Sequence, residues 1–161
     1  MKKLAIAVAA VTALSLGTAA CGNSSETSDT TTATSPEVAV YTVDGAWART
    51  SPIEATMGAV YLNITSTLDD ALVGASVSTD IAAMTQVHET LMNADGTMGM
   101  QEIASIPMTA NTPLELAPGG YHIMLMQLVK PLTVGETVSV TLTFASGETT
   151  TVDAIVSEEA P

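Results

Sequence analysis

Residues 118–126 read Pro-Gly-Gly-Tyr-His-Ile-Met-Leu-Met, and no other stretch of the chain is as informative about fold and chemistry. The Gly-Gly pair predicts a turn that leads into a β-strand. Because side chains alternate between the two faces of a strand, His122, Met124 and Met126 should share one face. The Cα atoms of His122 and Met124 would then lie roughly 6.8 Å apart, close enough for an imidazole and a thioether to bind one ion.

The other histidine of the chain also stands among methionines. Residues 88–100 begin with His88 and include Met98 and Met100. Thioether sulfur is soft and neutral, so it selects Cu(I) over harder ions such as Zn, Mg or Ca. A blue-copper electron-transfer site is disfavoured, because it needs a Cys thiolate and the one cysteine, Cys21, lies far from both His/Met pairs.

A purely structural interpretation of the same residues is also available. Methionine commonly fills irregular cores, and an Ile-Met-Leu-Met run is typical of a buried strand. A histidine beside such a run is often a hydrogen-bonded structural residue. The presence of only two histidines, both in Met-rich runs, favours the metal site over this alternative.

These runs resemble the extracytoplasmic copper chaperones of the PCu(A)C type, whose pattern is a His, ten residues, a Met, twenty-one residues and then His-x-Met. Twenty-one residues separate Met100 from His122 here, which matches the second half of the pattern. Eleven residues separate His88 from Met100, and the loop at 93–97 can absorb the extra one at little entropic cost. Met98 is a competing ligand.

Further segments match this family in the same order: Gly45–Arg49, Gly58–Ile64, Asp70–Ala75 and Pro118–Leu125. The resemblance covers roughly residues 38–157. It implies a cupredoxin-like Greek-key β-sandwich or barrel that binds Cu(I) through His88, Met100, His122 and Met124. It also implies delivery of copper to cytochrome c oxidase (CuA) assembly, directly or through another copper carrier.

The pattern of short strands predicts an all-β fold without help from that resemblance. Runs rich in Val, Ile, Thr and Tyr are separated by turn residues such as Asp44-Gly45 and Asp95-Gly96. A single β-sandwich or barrel at residues 38–158 follows, and it is large enough to bury its own core. The predicted strands are 38–43, 57–65, 71–77, 84–90, 99–103, 122–128, 137–144 and 148–155.

The N-terminal residues are expected to be an export signal and a tether. Residues 1–20 combine two lysines with a thirteen-residue apolar run, shorter than the ~20 residues of a membrane span. Small residues precede Cys21, as at a bacterial lipoprotein cleavage site, so a lipidated Cys21 would anchor the protein to the outer face of the cell membrane. Cleavage beyond Cys21 would instead release it. Residues 21–37, rich in Ser and Thr, are expected to be a flexible linker.

Charge and motif content exclude several functions. The formal charge is −13, and loss of residues 1–20 leaves 17 acidic and two basic residues, or −15. Such a surface repels phosphate backbones, so nucleic-acid binding is excluded. The chain has no phosphate-binding loop and no Gly-x-Ser-x-Gly motif, and we expect no enzyme activity. Glu89 should point away from His88 and is not counted as a ligand.

Three hypotheses follow. The first is a monomeric, lipid-anchored extracytoplasmic copper chaperone whose partner is a copper-accepting protein of oxidase assembly. The second is an envelope copper buffer or resistance protein with the same ligands. The third is a metal-free β-sandwich interaction lipoprotein whose His/Met runs lie in the core.

Overall fold

Alternating apolar and polar residues form ten strands across residues 39–160, the part of the chain that the computed structural model describes. The expected signal peptide (1–20), Cys21 and the linker (21–37) lie outside the described residues. The strands are β1 (Tyr41–Arg49), β2 (Met57–Ser66), β3 (Asp70–Val77), β4 (Ala82–Met92), β5 (Met98–Glu102), β6 (Ile106–Met108), β7 (Leu114–Leu116), β8 (Tyr121–Leu128), β9 (Thr137–Phe144) and β10 (Thr149–Ser157). The all-β prediction is confirmed. Among residues 39–160, no helix has the length and apolar character needed to cross a membrane.

The observed strands differ from the predicted ones mainly at β1. The prediction placed a turn at Asp44-Gly45, but β1 continues through it to Arg49. A bulge makes this possible, because the register with β2 shifts between Asp44 and Trp47 and Gly45 takes a φ of 61°. The prediction also missed β6 and β7, each of which has three residues, too few to show an alternation.

Hydrogen bonds connect the strands in the order β5-β4-β8-β7-β2-β1-β10-β9-β3-β6, and β8 also pairs with β2. The β1–β10 and β7–β8 pairs are parallel, and the others are antiparallel. Strands that are remote in sequence lie side by side, as β4 does with β8, which is typical of Greek-key connections. β3 and β4, joined by residues 78–81, lie close together although they stand far apart in this order, and their buried side chains Leu72 and Val87 belong to one core.

The face of β8 that carries Ile123 and Leu125 points into this core, where both residues are fully buried. His122 and Met124 therefore lie on the other face, as the alternation predicts. Buried residues of β2 and β9 belong to the same core as Ile123 and Leu125. They include Val60, Leu62, Ile64, Val138, Val140 and Leu142. The core thus fixes the strand that carries the predicted His-x-Met ligands.

The core makes a prediction about stability. Val138 is 1% exposed and Val134 is 55% exposed. Val138→Ala should lower the free energy of unfolding by about 2 kcal/mol, because two methyl groups lose their burial and leave a cavity. Val134→Ala, the same chemical change at the surface, should alter it by less than about 0.5 kcal/mol. Urea denaturation measures both, and equal effects would contradict this description of the core.

Candidate metal site

Two adjacent strands bring both histidines together on one face of the sheet. In the antiparallel pair of β4 and β8, His88 lies directly opposite His122, and Gln86 lies opposite Met124. The centroids of the two imidazole rings are 5.9 Å apart, and the rings are tilted by 51°. Three of the four predicted ligands therefore occupy two neighbouring rows of this sheet.

The hairpin of β4 and β5 carries the fourth predicted ligand to the same face. Met100 pairs with Thr90, and Met98 pairs with Met92, so both candidate methionines share the face of His88. The turn at 93–97 connects the two strands, and it is closed by an Asn93 N–H that donates to the Thr97 carbonyl at 2.8 Å.

Of the two candidates, Met100 borders the cleft that contains His122 and Met124. This cleft has a volume of about 210 Å³, and residues of β1, β2, β5 and β8 line it. Met98 instead lies beside Met92 at the tip of the hairpin. Met100 is 61% exposed whereas His122 is 2% exposed, so the cleft connects a buried imidazole with solvent. The geometry therefore favours Met100 over Met98.

A backbone carbonyl determines which nitrogen of His122 carries the proton. His122 Nδ1 lies 3.1 Å from the Gly120 carbonyl oxygen, which can only accept a hydrogen bond. The Nδ1–H group therefore donates, and Nε2 of the neutral ring holds a lone pair. That Nε2 is buried and has no hydrogen-bond partner. The ring of Tyr61, 6.3 Å away between centroids, packs beside the imidazole.

Two side chains determine the tautomer of His88 in the same manner. Gln86 Nε2 donates to the Glu102 carboxylate at 2.8 Å, which orients the amide. Gln86 Oε1 is then left to accept from His88 Nε2 at 3.1 Å. The lone pair of neutral His88 consequently resides on Nδ1, which is buried and has no hydrogen-bond partner.

Two buried nitrogen lone pairs without partners are costly in a protein that binds nothing there. A buried polar group that lacks its hydrogen bond costs about 1–3 kcal/mol. Metal-binding histidines, in contrast, usually donate their other ring N–H to a carbonyl or side chain, as both do here. No group of three His, Cys, Asp or Glu side chains that could hold a metal ion occurs within residues 39–160. Any ion at these histidines would therefore need ligands of another type, and Met100 and Met124 line the same cleft as His122.

The environment of His88 also changes its acidity. Burial lowers the pKa of His88, the nearby His122 lowers it further, and the Glu102 carboxylate partly opposes both. His88 is therefore neutral at pH 7 and able to bind a metal ion. Since the folded-state pKa lies below the unfolded one, His88 contributes stability that is present above about pH 6.5 and is lost as the pH falls through the folded-state pKa.

Sequence reasoning missed the groups that support the histidines. Gln86 could have been found, because it stands two residues before His88 and so shares its face. Glu102 and Tyr61 could not, since their positions depend on pairing with strands whose register the sequence leaves open.

An NMR titration of the metal-free protein tests whether burial and His122 lower the pKa of His88. The imidazole signals of His88 should titrate with a pKa below that of the same residue in the urea-unfolded chain, because burial and His122 both disfavour its charged form. A His88→Gln variant assigns the signals. A folded-state pKa equal to or above the unfolded one would contradict the burial of this ring.

Comparison with solved structures defines the class of fold. The Cu(I) form of DR1885 from Deinococcus radiodurans is 31% identical, with a TM-score of 0.56 over 79% of this chain and 83% of that one. The copper-bound PCuAC domain from PmoF2 is 26% identical, with a TM-score of 0.58 over 75% of this chain and 93% of that one. The apo PCuAC domain from PmoF1 has a TM-score of 0.60 at 24% identity, over 75% of this chain and 94% of that one, and shows likeness of fold. The predicted cupredoxin-like fold is confirmed, and it is the fold of PCuAC domains.

Sequence comparison then gives the family. The family model described as "Putative lipoprotein LpqE-like" matches residues 41–156, so this chain belongs to that family. The protein named "Putative lipoprotein Lxx21020" from Leifsonia xyli subsp. xyli is 38% identical over 97 residues. That match spans 60% of this chain and 58% of the relative's length.

Proposed function

We propose that this protein is an extracytoplasmic copper chaperone that holds one Cu(I) ion between its two histidines and two methionines. The ligands are His88 Nδ1, His122 Nε2 and the sulfurs of Met100 and Met124. The observation that carries the proposal is the pair of buried, unpartnered imidazole nitrogens on adjacent strands, beside two thioethers. The copper-bound forms of DR1885 and the PmoF2 domain support the choice of metal.

The ligand set suits an ion that is carried and then released outside the cell. Thioethers have no proton to lose and cannot be trapped as disulfides, unlike thiolates in an oxidising compartment. The two imidazoles are buried or partly buried on central strands, while Met100 extends from the edge strand β5 toward solvent. A partner can therefore replace the Met100 sulfur first, and the ion can pass over by stepwise ligand exchange.

The partner and the location are further parts of the proposal. We infer that the copper goes to cytochrome c oxidase (CuA) assembly, directly or through another carrier, as the resemblance to PCu(A)C chaperones implies. Lipidation of Cys21 would hold a monomeric domain at the outer face of the cell membrane, and membership of a lipoprotein family supports this anchor. The chain then acts by binding and transfer, without catalysis.

Methionine-to-leucine variants test the ligand set. Met100→Leu and Met124→Leu should each weaken Cu(I) binding by at least about tenfold, because a sulfur ligand is lost. The free energy of unfolding should change by less than about 1.5 kcal/mol, since the side-chain volume is nearly conserved. Met98→Leu is the matched control and should leave affinity unchanged. Anaerobic titration against a competing Cu(I) chelator measures all three, and a loss on Met98→Leu with none on Met100→Leu would reassign that ligand.

A transfer assay separates a chaperone from a copper buffer or resistance protein. The Cu(I)-loaded protein is mixed with the copper-free CuA domain of the oxidase, and the copper content of each is measured after separation. A chaperone should load the acceptor faster than it loses copper to a small chelator of equal affinity. Equal rates of transfer to the acceptor and to the chelator would support a copper buffer or resistance protein. If the protein takes up no Cu(I) at all, the metal-free interaction protein is the hypothesis that remains.

A further inference from the structure

Three methionines form a single row across β2, β8 and β4, next to the candidate site. Met126 of β8 lies directly opposite Met57 of β2 on one side and Met84 of β4 on the other. The row stands two residues along β8 from Met124, on the same face. We call Met57, Met84 and Met126 the thioether row.

The pairing brings the three sulfurs within reach of one ion. Side chains directly opposite each other on antiparallel strands have Cβ atoms about 4.5–5.5 Å apart. Met57 and Met84 therefore flank Met126 at about one strand spacing on either side. Methionine has three rotatable bonds, so the two outer sulfurs can lean over the middle one. A three-coordinate arrangement of thioethers fits this row.

Burial of apolar surface does not explain the row. Met57 is 54% exposed and Met84 is 45% exposed. The outward face of an antiparallel sheet usually carries polar residues, so three adjacent thioethers on it are unusual. Met57 also borders the cleft that contains His122 and Met124, which makes the row continuous with the candidate site.

The chemistry of the row selects a soft monovalent ion. Its ligands are uncharged sulfurs, and the next row toward the candidate site carries Ala59, Met124 and Gln86, with no carboxylate. Hard cations such as Ca²⁺ or Mg²⁺ would find no carboxylate in that row, and its one amide oxygen, that of Gln86, already accepts from His88. We propose that the thioether row is a second Cu(I) site, separate from the His/Met site and made of thioethers alone.

This second site goes beyond the proposed function and shares no ligand with it. A copper ion on the row would lie at one end of the cleft. The row would therefore hold copper on its way into the His/Met site or on its way out of that site. Methionine-rich surfaces also bind other proteins, and in that case the row would take up no metal.

Anaerobic Cu(I) titration of the full chain distinguishes these outcomes. The native protein should bind two equivalents, and the double variant Met84→Leu/Met126→Leu should bind one, with the affinity of that remaining equivalent unchanged. Leucine nearly conserves the volume of methionine, so the variant should fold. Met92→Leu, at the tip of the β4–β5 hairpin, is the matched control and should retain two equivalents. Methyl-¹³C NMR of labelled methionines should show Met84 and Met126 shifting with the equivalent that the double variant loses.

A second variant separates this proposal from the proposed function. Met100→Leu/Met124→Leu weakens the His/Met site and should leave the thioether row able to bind one ion. If the native protein binds one equivalent and this variant binds none, the proposed copper site on the thioether row is wrong and the His/Met site stands. If the native protein binds one equivalent that this variant keeps and Met84→Leu/Met126→Leu loses, copper binds at the thioether row and the proposed His/Met site is wrong. Binding of two equivalents of Cu(I) by Met84→Leu/Met126→Leu would also contradict a copper site on the thioether row.

Discussion

The candidate site depends on hydrogen bonds that fix the tautomers of two facing histidines. The Gly120 carbonyl holds the proton of His122 on Nδ1, and the Glu102–Gln86 pair holds the proton of His88 on Nε2. Each ring is thereby left with one lone pair that nothing in the described chain occupies. Because the rings lie on directly paired residues, the sheet itself sets their separation before any ion arrives. The hydrogen bonds that fix the tautomers thus leave one nitrogen of each ring free to bind a metal ion.

The two candidate methionines add to the paired histidines one sulfur that is held on a core strand and one that is exposed. Ile123 and Leu125 anchor β8 in the core, so His122 and Met124 are held on a strand that cannot easily move. Met100 comes from the edge strand β5 and is largely exposed. The candidate site thus combines a rigid, buried part with an exposed sulfur, which is the arrangement that the proposed ligand exchange requires. Neutral sulfur and nitrogen ligands suit a site at which the carboxylate that acts on His88, Glu102, is itself hydrogen-bonded to Gln86.

Part of the candidate site could be predicted from sequence because it depends on local alternation. The period of two along residues 121–128 places His122 and Met124 on one face. The addition of His88 and Met100 to the same site rested on the resemblance to PCu(A)C chaperones, since their positions depend on strand pairing. The bulge at Gly45 and the three-residue strands β6 and β7 could not be predicted, since bulges and very short strands arise from pairing with distant partners. The direct pairing of His88 with His122 and the support from Gln86 and Glu102 likewise depend on register. The preference for Met100 over Met98 depends on the cleft, because both methionines share one face.

X-ray absorption at the copper edge of the Cu(I)-loaded protein tests the central claim most directly, because it counts the atoms bound to the metal. With one equivalent of copper, the spectrum should show two nitrogen and two sulfur neighbours, and His122→Gln should reduce the nitrogen count to one. Neighbours consisting of sulfur alone, or a spectrum unaffected by His122→Gln, would contradict a site built on the paired histidines.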